Sequence, residues 1–270
     1  MIETHKNRAI ITLSGPERKK LLQGIITANI DQLKNGHGLY GALLSPQGKF
    51  LHDFFLYEND ETIYLDCERD RLADLFRRLL MYRLRSNVEI IDQSENYSVV
   101  TSSEKIDDHD LSFSDPRHPE MGYRAIVKNH TSTNDEKTYH ARRIALGIPE
   151  GSNDFIVDKS TVLEGHFEQI NGVDFEKGCY VGQEVTARMK YRGKIKKLMF
   201  PVTLSDTAPA FGSDIIDEKG NKIGDLRSHC DKYAIALFRI DKMKFGHDYD
   251  CCGIKVTPFK TDFYEENANA

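Results

Sequence analysis

The residues best suited to chemistry fall in one run, Lys177-Gly178-Cys179-Tyr180-Val181-Gly182-Gln183-Glu184. Cys179 stands just ahead of a stretch of helix-forming composition, Gln183 to Arg192, closed by Gly193. A helix start and the neighbouring Lys177 both favour thiolate over thiol, which makes Cys179 the candidate catalytic, reactive thiol. Gly178 and Gly182 permit close backbone approach or positive φ. Tyr180 offers an aromatic face to a planar ligand, and Gln183 and Glu184 supply donors and acceptors for the edge of a heterocycle. The same pattern also describes a turn ahead of a helix with no chemistry, because no His partner accompanies the cysteine.

The elements that must position this run change character along the chain. Arg8–Leu13 reads as a strand, followed by a helix start at Ser14-Gly15-Pro16-Glu17 with Leu21, Leu22, Ile25 and Ile26 on one side. Gly38–Leu44 and Lys49–Tyr57 read as strands joined by the turn Ser45-Pro46-Gln47-Gly48, and Thr62–Asp66 as a third. Leu72, Leu75, Phe76, Leu79 and Leu80 repeat at helical spacing, and Val88–Ile90 and Ser98–Val100 return to strand. Residues 103–122 are polar and acidic and read as a connection; a helix is expected from about Asn134 to Leu146, ended by Gly147. From Lys194 onward, short strand candidates separated by turns suggest a small β-barrel or sandwich: Lys194–Phe200, Asp214–Ile216, Lys222–Gly224, Tyr233–Leu237 and Ile254–Val256. The fold class is α+β. The expected division is 1–102, an α+β domain; 103–193, a middle α+β segment carrying the run; 194–262, a C-terminal barrel; and 263–270, a frayed tail.

Bulk properties bound the function. The chain has 270 residues, 39% hydrophobic and 29% charged, as expected of a globular protein. A net charge of −5 gives no support for a nucleic-acid groove, so direct tRNA binding is not expected. No run of about 18 apolar residues offers a membrane span. The first residues, Met1 to Lys6, have no apolar signal core, which predicts a cytoplasmic location. Five cysteines without a Cys-x-x-Cys spacing argue against a disulfide framework or a resident metal site. Cys251 and Cys252 are adjacent and are expected on opposite faces of a strand.

Lys177 to Glu184 resembles the signature of the YgfZ family of folate-binding, iron–sulfur-assembly and tRNA-modification proteins. Leu22–Ile30, Leu43–Lys49, Arg143–Pro149 and Leu163-Glu164 are similar to other segments of that family. The resemblance implies the architecture of the glycine-cleavage aminomethyltransferase, with two α+β domains and a β-barrel around a central cavity that holds tetrahydrofolate. It places Lys177, Tyr180, Gln183 and Glu184 at that cofactor. Asp53, after a tight turn, and Arg85, after an amphipathic helix, join them as candidate cofactor-binding residues. The implied function is support of iron–sulfur cluster assembly or repair in client enzymes, tRNA-modifying ones included. The implied partners are reduced folate and iron–sulfur clients or assembly factors, with the chain itself a monomer. The alternative is an aminomethyl or one-carbon transferase. Two departures weigh against it. Ala145 stands where the transferases have a pterin-holding glutamate, the loss of a charged anchor worth roughly 1.5–3 kcal/mol. Their Asp-Asp pair reads His52-Asp53 here.

Overall fold

The computed structural model describes residues 2–106, 111–128, 136–193 and 195–264. Nine strands build two antiparallel sheets: β1 (Glu3–His5), β2 (Arg8–Ser14), β3 (Leu39–Leu44), β4 (Phe50–Asn59), β5 (Thr62–Glu68), β6 (Glu89–Asp92), β7 (Tyr97–Ser102), β8 (Ser112–Ser114) and β9 (Tyr123–Lys128). One sheet has the order β3-β4-β5-β2-β6 and the other β1-β7-β9-β8. Strand β4 shows why they pack as layers. Its alternate residues are apolar on both sides, so Phe54 and Leu56 face one cluster while Phe55 and Tyr57 face another. Helices α1 (Arg18–Gln23) and α2 (Leu72–Arg83) cover the first face with Leu21, Leu22, Leu75 and Leu79. The second face meets Phe113, Ile126, Phe155 and Phe167.

Helices α3 (Lys137–Ala145) and α4 (Gln183–Arg192) follow. Six further strands, β10 (Lys197–Leu204), β11 (Asp214–Ile216), β12 (Lys222–Cys230), β13 (Tyr233–Arg239), β14 (Tyr249–Cys251) and β15 (Ile254–Pro258), close a barrel in the order β10-β13-β12-β11-β14-β15. Phe200, Val202, Leu226, Ala236 and Phe238 fill it, while Met199, Ile235 and Leu237, on the alternate positions, pack against the rest of the molecule.

Several expectations need correction. The stretch 103–122 is more than a connection: β8 lies within it and pairs with β9, a strand the sequence reading passed over. Residues 107–110 of that stretch lie outside the described residues, as do 134–135 of the expected helix, Lys194 of the expected strand and 265–270 of the tail. The boundary at residue 102 does not separate the sheets, because β1 and β7 pair with each other and β7 with β9. Nor is the tail frayed where it begins. Tyr264 packs on Phe200 at 4.9 Å between ring centroids and Phe263 on His166 at 5.4 Å, so aromatic burial outweighs the polar composition around them.

Candidate functional site

The run identified from sequence is a strap laid across the first layer. Thr27 Oγ1 donates to Gly172 O at 2.6 Å, Asp174 N to Thr27 O at 3.0 Å and Val181 N to Gly24 O at 3.3 Å. Between these anchors the Lys177 ammonium turns inward and donates to Ile26 O at 2.7 Å and Ala28 O at 2.6 Å. The Asp174 carboxylate holds the bend, accepting from Glu176 N, Lys177 N and Gln32 Nε2. The run read as a signature and the separate segment Leu22–Ile30, read as similar to the same family, are therefore physical partners: 172–182 docks on 24–28.

Burial lowers the pKa of Lys177 to about 8, with Asp174 and Asp31 opposing the fall. Its Nζ sits 5.2 Å from the Tyr180 ring centroid. Tyr180 is buried, not open to a planar ligand, and burial pushes its phenol up to about 12. Its hydroxyl lies beside Thr186, whose own proton goes to Gly182 O at 3.1 Å, and it finds no hydrogen-bond partner of good geometry among the described residues. The expectation that Lys177 serves the Cys179 thiol is corrected: the ammonium is committed to backbone carbonyls.

Between these buried residues the strap reaches solvent. Gly178 and Cys179 are exposed, and a side chain added at Gly178 would meet nothing within 4 Å. Helix α4 then follows its N-cap Gly182, which has φ +85°. Glu184 is exposed in its first turn, where an acid complements the helix dipole, and Gln183 is half-buried. Cys67 and Cys251 are buried, Cys230 is half-buried and Cys252 is exposed. Among the described residues no group of three or more His, Cys, Asp or Glu side chains is placed to hold a metal ion.

The remaining expected residues lie elsewhere. Asp53 is 3% exposed, and its Oδ2 accepts from Tyr40 Oη at 2.7 Å and from Gly151 N at 2.9 Å. Burial raises its pKa, with Arg8 opposing. His52 is held by Asp74 at 2.9 Å, and burial followed by the charge of Arg71 lowers it to about 4. Arg85 is exposed at the far end of α2, in a depression with Glu17, Leu84 and Ser86. A second depression, of about 370 Å³, lies beside the strap and is lined by Asn29, Gln32, Glu168, Phe175, Lys190 and Tyr191 among others. Of the residues expected to hold folate, only Arg85 lines either depression. Ala145, at the position of the transferases' glutamate, is exposed at the end of α3.

Sequence reasoning missed the interior. Asp66 bridges Arg8 and Arg124 at 2.6 Å each, and Arg117 is gripped by Asp115 and Glu150 at 2.7 Å each. Arg143 pairs with Asp154 at 2.8 Å. The guanidinium of Arg117 also lies 4.6 Å from the Phe55 ring centroid, so Asp115-Pro116-Arg117 forms an internal clamp. The local spacing Asp115-x-Arg117 was a visible signal; the distant partners were not.

Aminomethyltransferase T of the glycine cleavage system from Bartonella henselae superimposes on this chain with a TM-score of 0.77 at 14% identity, covering 97% of this chain and 86% of that one. The chain has the aminomethyltransferase T fold. Residues 196–265 match the CAF17 C-terminal β-barrel domain. A Neurospora crassa protein named iron-sulfur cluster assembly factor IBA57 homolog, mitochondrial, is 33% identical over 242 residues, 77% of this chain and 55% of its own length. Its Dictyostelium discoideum namesake is 30% identical over 267 residues, 78% and 65% of the two chains. The human protein named iron-sulfur cluster assembly factor IBA57, mitochondrial, is 28% identical over 273 residues, 88% and 77%. The chain thus spans little more than half of the Neurospora relative and about two thirds of the Dictyostelium one. These findings support the sequence resemblance at the level of the shared fold, and they name IBA57 and CAF17 where the sequence reading named YgfZ. They also overturn the cytoplasmic expectation, since these relatives are named as mitochondrial proteins. An apolar signal core marks secretory leaders, whereas organelle transit segments are amphipathic, so its absence was no guide to this question.

Proposed function

We propose that this chain acts in iron–sulfur cluster assembly, offering Cys179 as one thiolate ligand to a cluster whose other ligands come from a partner protein. The observation that carries this reading is the placement of Cys179: exposed at the tip of a strap that Lys177, Asp174 and Val181 pin to segment 24–28. Iron–sulfur clusters take several cysteine ligands, and one thiol on a rigid mount suits a shared or transferred cluster better than a resident one. The relatives named as assembly factors support the same reading. Clients are enzymes that need such clusters, those that modify tRNA among them.

Tetrahydrofolate is assigned no step. The carboxylate of Asp53 is buried and already bonded, the Lys177 ammonium is spent on two carbonyls, and Tyr180 is covered. These residues do not fit the cofactor in this arrangement. A thermal shift with tetrahydrofolate that Asp53→Asn abolishes would reinstate it. One-carbon transfer loses support for the same reason and because Ala145 offers no carboxylate.

The test is anaerobic reconstitution of a [4Fe–4S] client from a cluster-loaded scaffold protein, with this chain and with Cys179→Ser. Loss of client activation, with the melting temperature unchanged, is the expected result. Full activity of Cys179→Ser would sink the proposal.

A further inference from the structure

The C-terminal end of α2 plays no part in the function proposed above, yet it carries the most exposed apolar side chain among the described residues. Leu80, Met81 and Leu84 are 37%, 67% and 83% exposed. At spacings of three and four residues they form one patch. Leu84 ends the helix with φ +44° and ψ −107°, a conformation that glycine adopts freely and leucine only under strain. One residue therefore combines backbone strain with an uncovered apolar side chain, a pairing found where a surface is shaped for contact.

The charge around the patch is one-sided. Residues 69–85 hold six arginines against Asp70 and Asp74, in a chain whose net charge is −5. Asp74 alone lies within 3.6 Å, 2.6 Å and 2.8 Å of Arg71, Arg77 and Arg78. Arg83 and Arg85 have no acidic partner among the described residues. Beside Leu84 lies a depression of about 630 Å³, lined by Glu17, Leu84, Arg85 and Ser86. The carboxylate of Glu17 is already engaged, accepting from Asn87 N at 2.7 Å and lying 3.8 Å from Lys20 Nζ.

We propose that this surface docks an acidic segment of a partner protein, with one apolar side chain of the segment entering the depression beside Leu84 and its carboxylates meeting Arg83 and Arg85. A second copy of this chain would set the same arginines against each other across a two-fold contact. An acidic segment meets both the apolar patch and the unpaired guanidinium groups.

The test begins with p-benzoylphenylalanine placed at position 84 of the full chain, expressed in its native host and irradiated, with position 218 on the barrel as control. The expected product is a crosslink to a protein segment rich in Asp and Glu. A synthetic peptide of that segment, titrated by fluorescence anisotropy against the purified chain, should bind. Its affinity should fall about tenfold or more with Arg85→Glu, and about as steeply when salt is raised several-fold. A peptide with one acid changed to Lys should regain affinity for the Arg85→Glu chain. Circular dichroism melts of Arg85→Glu confirm that the surface, and not the fold, has changed. Crosslinks to lipid, to a second copy or to a segment without acidic residues overturn the proposal. So does a yield no higher than at position 218, or a peptide affinity that ignores Arg85.

Discussion

Gly182 and Gly48 meet back to back. Both have positive φ, +85° and +71°, and a Cβ built on Gly182 would lie 3.1 Å from Gly48 Cα and 2.6 Å from Ser45 O. A Cβ on Gly48 would in turn reach Val185 Cβ at 3.0 Å. The turn that starts α4 is thereby locked onto the turn between β3 and β4, and Cys179 is carried on that lock.

Gly182→Ala should therefore be costly. The left-handed conformation costs an alanine about 1–2 kcal/mol, and the contact with a backbone carbonyl adds about 1–3 kcal/mol of overpacking. Urea denaturation should show a loss of roughly 2–5 kcal/mol. Gly178→Ala, four residues before Gly182 and open to solvent, should stay within about 0.5 kcal/mol of the parent. Equal effects at the two glycines would refute the locked strap.

Lys177 gives the strap a pH signature. Its folded-state pKa is lowered to about 8 from 10.5, so between those values the unfolded chain holds a proton that the folded chain has released. Stability attributable to this residue therefore rises as pH rises from about 8 towards 10.5, by an amount on the order of 1–3 kcal/mol. The neutral amine still has two N–H donors, enough for Ile26 O and Ala28 O. The difference in unfolding free energy between the parent and Lys177→Met, measured across that range, should grow with pH. A flat difference would mean that the ammonium stays charged in place.

How much of this was legible in the sequence depends on the distance over which the forces act. Local signals held: α4 runs from Gln183 to Arg192 as its composition and Gly193 predict, and β11 occupies the expected Asp214–Ile216. Hydrophobic periodicity located α2, whose Leu72, Leu75, Phe76 and Leu79 recur at helical spacing, but β4 is apolar on both faces and so shows no alternation that would have announced a second layer. Non-local pairing was invisible. Asp66 lies 58 residues from both Arg8 and Arg124, and no spacing rule joins them. Backbone sign was also hidden at Cys252, whose φ of +56° sets it in the hairpin turn between β14 and β15, outside the strand alternation assumed for it. At the site, the run itself was found but the direction of its side chains was not, since Lys177 turns towards carbonyls supplied by a segment about 150 residues earlier.

Asp66→Asn tests the interior pairing. Asp66 is 1% exposed and accepts from Arg8 Nε and Arg124 Nε at 2.6 Å each, and these two arginines hold its pKa down against burial. Removing its charge leaves two buried guanidinium groups uncompensated, a loss of about 3–5 kcal/mol. Thermal or urea unfolding reads this directly. A loss below about 1 kcal/mol would show that water or relaxation satisfies both arginines.

Leu84→Gly should stabilise the chain. The leucine is 83% exposed, so little packing is lost, while glycine relieves the positive φ. The expected gain is about 1 kcal/mol, read as a raised melting temperature. A decrease would mean that the Leu84 side chain packs in solution and that the strain at α2 is absent.

Differential alkylation tests the presentation of Cys179. Iodoacetamide reacts with accessible thiolate, so exposure and ionisation act together. Burial pushes the thiols of Cys67 and Cys251 up to about 12, and both are covered, so neither should label in the folded chain at neutral pH. Cys179 and Cys252 are exposed and should label first, with half-buried Cys230 behind them. Mass spectrometry of the five cysteine peptides over time separates the rates. Alkylation at Cys179 should leave the melting temperature unchanged, because the strap is open on that side: an added side chain at Gly178 meets nothing within 4 Å. The same adduct should abolish cluster transfer to a client, since it removes the one ligand the strap offers, while an adduct on Cys252 alone should not. If Cys179 labels more slowly than Cys230, the tip of the strap is covered in solution and the thiol is unavailable to a partner's cluster.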